Sequence, residues 1–135
     1  MIYSYNISKQ SLAQGDAVVY AIDTVKTGTT VTHTPGTSLF TFNEAGYYYI
    51  TATASGAATA TGTDPVSLAL YNGSTEIVGA TASAVSDTAV NLTINAIIPV
   101  RPSCCMIDNT VNLSVVNTGV ETTYTNVTIT IIKLS

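Results

Sequence analysis

Charge is what this chain has least of. Lys, Arg, Asp and Glu make up 9% of its 135 residues, against about a quarter in an average soluble domain. Hydrophobic residues reach 46%, so the surface has to be covered by uncharged side chains, and Thr, Ser, Asn, Ala and Gly are the ones at hand. Such a surface is a habit of β-rich surface and fibre proteins more than of cytosolic enzymes. Few charges also mean weak self-repulsion, and therefore tolerance of close contact between subunits.

Basic clusters are missing as well. Lys9, Lys26, Arg101 and Lys133 stand singly, and the formal net charge is -4. Nucleic-acid binding draws on clustered Lys and Arg to displace counterions, so no nucleic acid is expected as a partner. The opening MIYSYNISKQ has no basic segment followed by an apolar run, so it does not read as a secretion signal. No stretch approaches the ~18 apolar residues of a membrane span, and no membrane partner is expected. The protein is thus expected to stay in the cytosol where it is made, or to leave by assembly into a particle released by lysis.

Reaction chemistry is the third scarcity. The single histidine, His33, precedes a Pro-Gly turn in TTVTHTPG and reads as a surface residue at a strand end, since no nucleophile-elbow signature accompanies it. The acidic residues Asp16, Asp23, Glu44, Asp64, Glu76, Asp87, Asp108 and Glu121 are isolated, and no spacing among them makes a calcium loop. Asn-x-Ser/Thr stretches begin at Asn6, Asn72, Asn91, Asn112 and Asn126; in so Thr-rich a chain they arise by chance. Both cysteines, Cys104 and Cys105, lie side by side in RPSCCMIDN. Two thiols and one distant histidine fall short of the four ligands of a structural zinc site. Neighbours in a strand point to opposite faces, so a bond between them needs a strained ring. They read as small apolar residues at a strand end; a cross-subunit disulfide and a reactive or metal-bound pair are the alternatives. No catalytic residue, metal ligand or cofactor site is assigned.

Strand signals fill the rest of the chain. β-Branched and aromatic residues recur at every second position, bounded by Gly, Asn, Asp and Pro. Strands are expected at Ile2 to Ile7, Ala17 to Ile22, Thr29 to His33, Ser38 to Phe42, Tyr47 to Ala54, Val66 to Tyr71, Thr75 to Val78, Val90 to Val100, Thr110 to Val116 and Tyr124 to Leu134. Spacing this regular reads as an antiparallel sandwich or barrel. In LYNGST, Asn72-Gly73 predicts a two-residue hairpin turn with positive φ at both central positions. SLAQGD breaks the pattern before Ala17, so residues 1–14 read as an extra strand or an attachment arm and residues 15–135 as the domain proper.

Alternation shows which faces are wet. In NVTITIIKL, Val127, Ile129 and Ile131 fall on one side and Thr128 and Thr130 on the other, the pattern of a half-buried strand. That alternation lapses at Ile131-Ile132, at Ile97-Ile98 and in the run Tyr47, Tyr48, Tyr49. Strands apolar on both faces imply a second buried surface, a subunit interface, unless a loop or the N-terminal segment covers them. Those seven residues are therefore the expected interface.

The stretch LFTFNEAGYYYITATA carries a resemblance. An alternating strand with Phe40 and Phe42, a short break ending in Ala45-Gly46, the Gly-x-Tyr step Gly46-Tyr47-Tyr48 and a further strand resemble the jelly rolls of tumour necrosis factor and the complement globular head. Bacterial versions at the C-terminus of spore-surface collagen-like glycoproteins are similar too: their Asn-Gly hairpin matches LALYNGSTEIVGAT and their last strand matches NVTITIIKLS. The chain departs from them in lacking a collagen stalk and in its RPSCCMID stretch. Stalkless proteins of this type resemble head-fibre or decoration proteins of phages and prophages. The resemblance spans residues 17–135. It implies an all-β antiparallel β-sandwich jelly roll of about ten strands, assembled as a homotrimer around an axis lined by aromatic and apolar side chains. The implied function is a non-catalytic structural protein displayed on a phage virion and attached to a virion or capsid protein through the N-terminal arm. The alternative is a receptor- or glycan-binding module of a virion or bacterial cell surface, with a host glycan as partner.

Overall fold

The computed structural model describes residues 1–59, 64–85, 89–100 and 111–134. Cys104 and Cys105, with the whole RPSCCMIDN stretch, lie outside the described residues. Eleven strands follow one another: β1 Ile2–Asn6, β2 Gln10–Leu12, β3 Ile22–Lys26, β4 Val31–His33, β5 Phe40–Phe42, β6 Gly46–Ala58, β7 Val66–Asn72, β8 Thr75–Ala84, β9 Val90–Val100, β10 Val111–Asn117 and β11 Thr122–Lys133. They form two antiparallel sheets. The larger runs β3-β1-β11-β6-β9, with the short β2 also paired to β11, and the smaller runs β4-β5-β10-β7-β8. Neighbours in space are mostly distant in sequence, as in a jelly roll.

Period-2 alternation builds the core. On β6, Tyr48, Ile50, Ala52 and Ala54 are buried, and on β9 Val90, Leu92, Ile94 and Ile98. β11 contributes Tyr124, Val127, Ile129 and Ile131 from the same sheet. The facing sheet supplies Val31, Phe40, Phe42, Leu68, Leu70, Leu113 and Val115. The Phe42 and Tyr48 rings meet across the sandwich at 4.6 Å, and Tyr20 meets Phe40 edge-on at 5.4 Å. Such aromatic pairs each add about 0.5–1.5 kcal/mol beyond area burial.

Two expectations need correction, and one alternative is chosen. Of the extra strand or attachment arm read at residues 1–14, the chain forms strands. β1 lies between β3 and β11, pairing Ile2 with Ile131 and with Lys26, and β2 pairs Leu12 with Thr122. Ile2, Ser4 and Asn6 face inward. Ala17 to Ile22 is no continuous strand, because the segment crosses over the sandwich, touching β10 through Ala17 and Val18 and Thr37 through Tyr20; the pairing resumes at Ile22 as β3. The β7–β8 hairpin turns on Gly73-Ser74, since Asn72 itself pairs with Thr75. Only Gly73 has positive φ there, at 61°, which fits a turn with glycine at the first central position rather than a double positive-φ turn. Pro99 is accommodated inside β9 because β9 is the outermost strand of its sheet and has a side free of ladder bonds.

Candidate functional site

The outer face of the larger sheet is the first candidate. Register places Ile132, Tyr49 and Ile97 in one row across β11, β6 and β9, with Tyr47 beside Pro99 in the next. Tyr47 is 55% exposed, Ile97 60% and Ile132 36%, and Tyr49 is half-buried. These four of the seven residues expected at an interface share one patch. The other three do not join it. Tyr48 and Ile131 are fully buried and Ile98 nearly so within the single chain, because residues two apart on a strand share a face and Ile50, Ala52, Ile94 and Ile129 hold that face inward. The signal was present in the sequence. Thr51 and Thr53 mark the wet side of β6, and Tyr47 and Tyr49 fall in step with them.

Beyond that patch the same face turns polar, and several of its groups are paired with one another. Asn95 Oδ1 accepts from the Tyr49 and Thr51 hydroxyls at 3.2 and 3.0 Å, Ser55 donates to Asn91, and Thr53 bonds Thr128 across the strands. Hydroxyls satisfied within the face lose little when water is removed. Tyr3 and Tyr5, half-buried on β1, extend the face opposite Thr130 and Thr128, and the sequence reading did not include them. Their only signal was that Ile2, Ser4 and Asn6 occupy the alternate positions.

The second candidate lies at the open edge where β3 and β4 face each other. His33 is not a surface residue but is 5% exposed. Its Nδ1 lies 2.6 Å from Asp23 Oδ1, its Nε2 lies 2.9 Å from the Thr37 carbonyl, and its ring stacks on Phe40 at 4.1 Å. A carbonyl only accepts, so Nε2 serves as the donor to Thr37. The Ser4 hydroxyl donates to the same carboxylate oxygen at 2.6 Å. Ser, His and Asp therefore meet, but Ser4 bonds the acid and not the ring, and a backbone carbonyl holds the ring nitrogen that a nucleophile needs. The arrangement joins the two sheets and serves no hydroxyl for attack. It was hidden in the sequence because Asp23 and His33 belong to different sheets.

Above His33 the outer surface of β4 and β5 forms a cleft of about 530 Å³, lined by Lys26, Thr32, Thr34, Thr37, Leu39 and Thr41. Elsewhere, burial pushes the Tyr124 hydroxyl up to about 12, partly offset by Thr122, and raises Tyr20 further. Tyr48 is raised by burial and by Glu44. At the rim, hydrogen bonds from Lys133 and Thr30 hold the Glu44 carboxyl below its usual range. Among the described residues no group of three His, Cys, Asp or Glu side chains could hold a metal ion.

Solved structures share this architecture. The globular domain of the zebrafish complement 1qA protein superimposes with a TM-score of 0.69 at 10% identity, over 99% of this chain and 96% of its own. Eiger TNF from S. frugiperda gives 0.67 at 12% identity over 99% and 92%. The PRD1 vertex protein P5 gives 0.57 at 17% identity over 95% and 93%. No protein-family profile and no curated protein sequence matches the chain. At such identities the likeness establishes the fold, a tumour-necrosis-factor-like jelly roll.

Proposed function

We propose that this tumour-necrosis-factor-like jelly roll is a non-catalytic structural protein that assembles as a homotrimer and is displayed on a phage virion, as a head fibre or decoration protein. The observation that carries the reading is the row Ile132–Tyr49–Ile97 with Tyr47 beside it, large apolar groups left exposed on a sheet face whose polar half is in part hydrogen-bonded to itself. Contiguous exposed apolar surface of this kind marks an association site. Three copies is the number that the resemblance implies. Low charge removes the repulsion that would oppose close packing, and the fold shared with the PRD1 vertex protein P5 supports placement on a virion. The N-terminal segment enters such an assembly with β1 and β2 already paired in the larger sheet, so any attachment to a virion or capsid protein through it uses ordered strands.

Light scattering on the intact chain tests the association, with a trimer as the expected mass. Tyr49→Lys and Ile97→Lys place a charge in the row and should give monomers with an unchanged β-type circular dichroism spectrum. A wild-type monomer at micromolar concentration overturns the reading. Imaging of particles from the source then decides between virion and bacterial cell surface. A receptor- or glycan-binding role is the second reading, and the cleft at the β3–β4 edge favours it.

A further inference from the structure

The cleft over β4 and β5 combines features that select one kind of ligand. Its four threonines present hydroxyls whose hydrogen-bond roles are partly set. Thr37 donates to the Thr34 carbonyl at 2.7 Å and Thr41 donates to Asn112 at 3.2 Å, so both offer free acceptor lone pairs. Thr32 accepts from the Asn43 amide at 3.4 Å, so its own hydrogen remains available to donate. A ligand that meets these groups needs donors and acceptors interleaved at close spacing, which is the property of vicinal sugar hydroxyls.

One cation completes the set. The Lys26 ammonium reaches the His33 carbonyl at 3.5 Å and forms no ion pair with a carboxylate among the described residues. The nearby Asp23 carboxylate is turned instead onto His33 and Ser4. A single ammonium in a chain of net charge -4 suits one carboxylate and not a phosphate-rich polymer, which draws on several cations. Leu39, 44% exposed, offers an apolar surface at the rim. Beneath lies a rigid floor, because His33 is held at both ring nitrogens and stacked on Phe40, and preorganised walls reduce the ordering cost of binding. The volume, about 530 Å³, lies within the range of small-molecule sites.

We propose that this cleft binds a uronic-acid sugar, its carboxylate on Lys26 and its ring hydroxyls on the threonines. The site lies at the β3–β4 edge, with Lys26 from the larger sheet and the threonines from the smaller one and its loops, so it is complete within a single chain. The inference thus stands apart from the assembly.

Titration of the isotope-labelled intact chain with methyl glucuronide, methyl glucoside and acetate, followed by amide NMR, tests it. The glucuronide should shift amides at residue 26 and across residues 32–41. It should bind at least about tenfold more tightly than the glucoside, the worth of one charge-assisted contact. Lys26→Gln, at an exposed position, should remove that preference, while Thr34→Val should weaken both sugars. Equal affinity for glucuronide and glucoside, acetate matching the glucuronide, or shifts that are absent or lie elsewhere at millimolar sugar each overturn the proposal. Light scattering on the same samples reports the oligomeric state separately, so failure of binding and failure of assembly are told apart.

Discussion

His33 is held at both ring nitrogens, by the Asp23 carboxyl group and the Thr37 carbonyl, while its ring lies flat on Phe40. Removing the imidazole leaves the Asp23 carboxylate buried with only Ser4 as a partner, and its Oδ2 already has none among the described residues. Breaking one side of such a buried pair costs about 3–5 kcal/mol. His33→Ala is therefore expected to lower stability by an amount in that range, read from the urea midpoint. A double-mutant cycle with Asp23→Ala should show the two losses to be far from additive. The buried tyrosines govern the alkaline limit. Their folded values are raised above the ordinary 10, Tyr124 to about 12 and Tyr20 further. Folded and unfolded chains both keep these protons below that ordinary value, so the contribution is complete there. As pH rises from 10 toward 12 the unfolded chain ionises first, and stability should fall by about 1.4 kcal/mol per pH unit for each such tyrosine. Denaturation midpoints across that window, alongside tyrosinate absorbance, check the expectation. A flat stability curve contradicts it.

At the scale of elements, the N-terminal strands show why local polarity misleads. MIYSYNISKQSLAQG is polar and ends in glycine, the composition of an arm. Yet Ile2 and Leu12 are core residues, Ser4 bonds Asp23, and the Asn6 amide donates to the Val19 carbonyl at 3.0 Å. The inward polar groups are satisfied by the crossover segment and by β3, so the strand can be buried without large apolar side chains. Deleting residues 1–14 removes β1 from between β3 and β11 and exposes the partner ladder of both. The buried Ile2 and Leu12 alone account for about 1.5–3 kcal/mol each. The expected outcome is loss of the cooperative thermal transition followed by circular dichroism. A truncated chain that melts like the intact one contradicts this account of the strand.

At the scale of the whole molecule, association and folding become one equilibrium if the outer face of the larger sheet is covered only by other copies. Subunit binding stabilises the folded state by mass action. The melting temperature is therefore expected to rise by several degrees over a hundredfold increase in protein concentration, and calorimetry at both ends of that range measures it. The Ile97→Lys variant should lose this dependence while keeping a transition of its own. A melting temperature independent of concentration in the wild type separates the fold from the proposed assembly.

The residue pattern by itself determined the class of the fold and most of its strands, because a period of two is a local property of an extended chain with one face on a core. Val90 to Val100 appears as read, and the alternation around Thr51, Thr53, Thr128 and Thr130 defines the wet face. It also carried the parity that divides Tyr47 and Tyr49 from Tyr48, although a run of three tyrosines obscures it. Tertiary structure alone decided which strands pair and what the odd polar residues are for. β1 finds β11 across the length of the chain, and Asp23 on one sheet finds His33 on the other. These pairings depend on closing the two sheets over a shared core, a condition on the positions of distant residues that no window of local sequence contains.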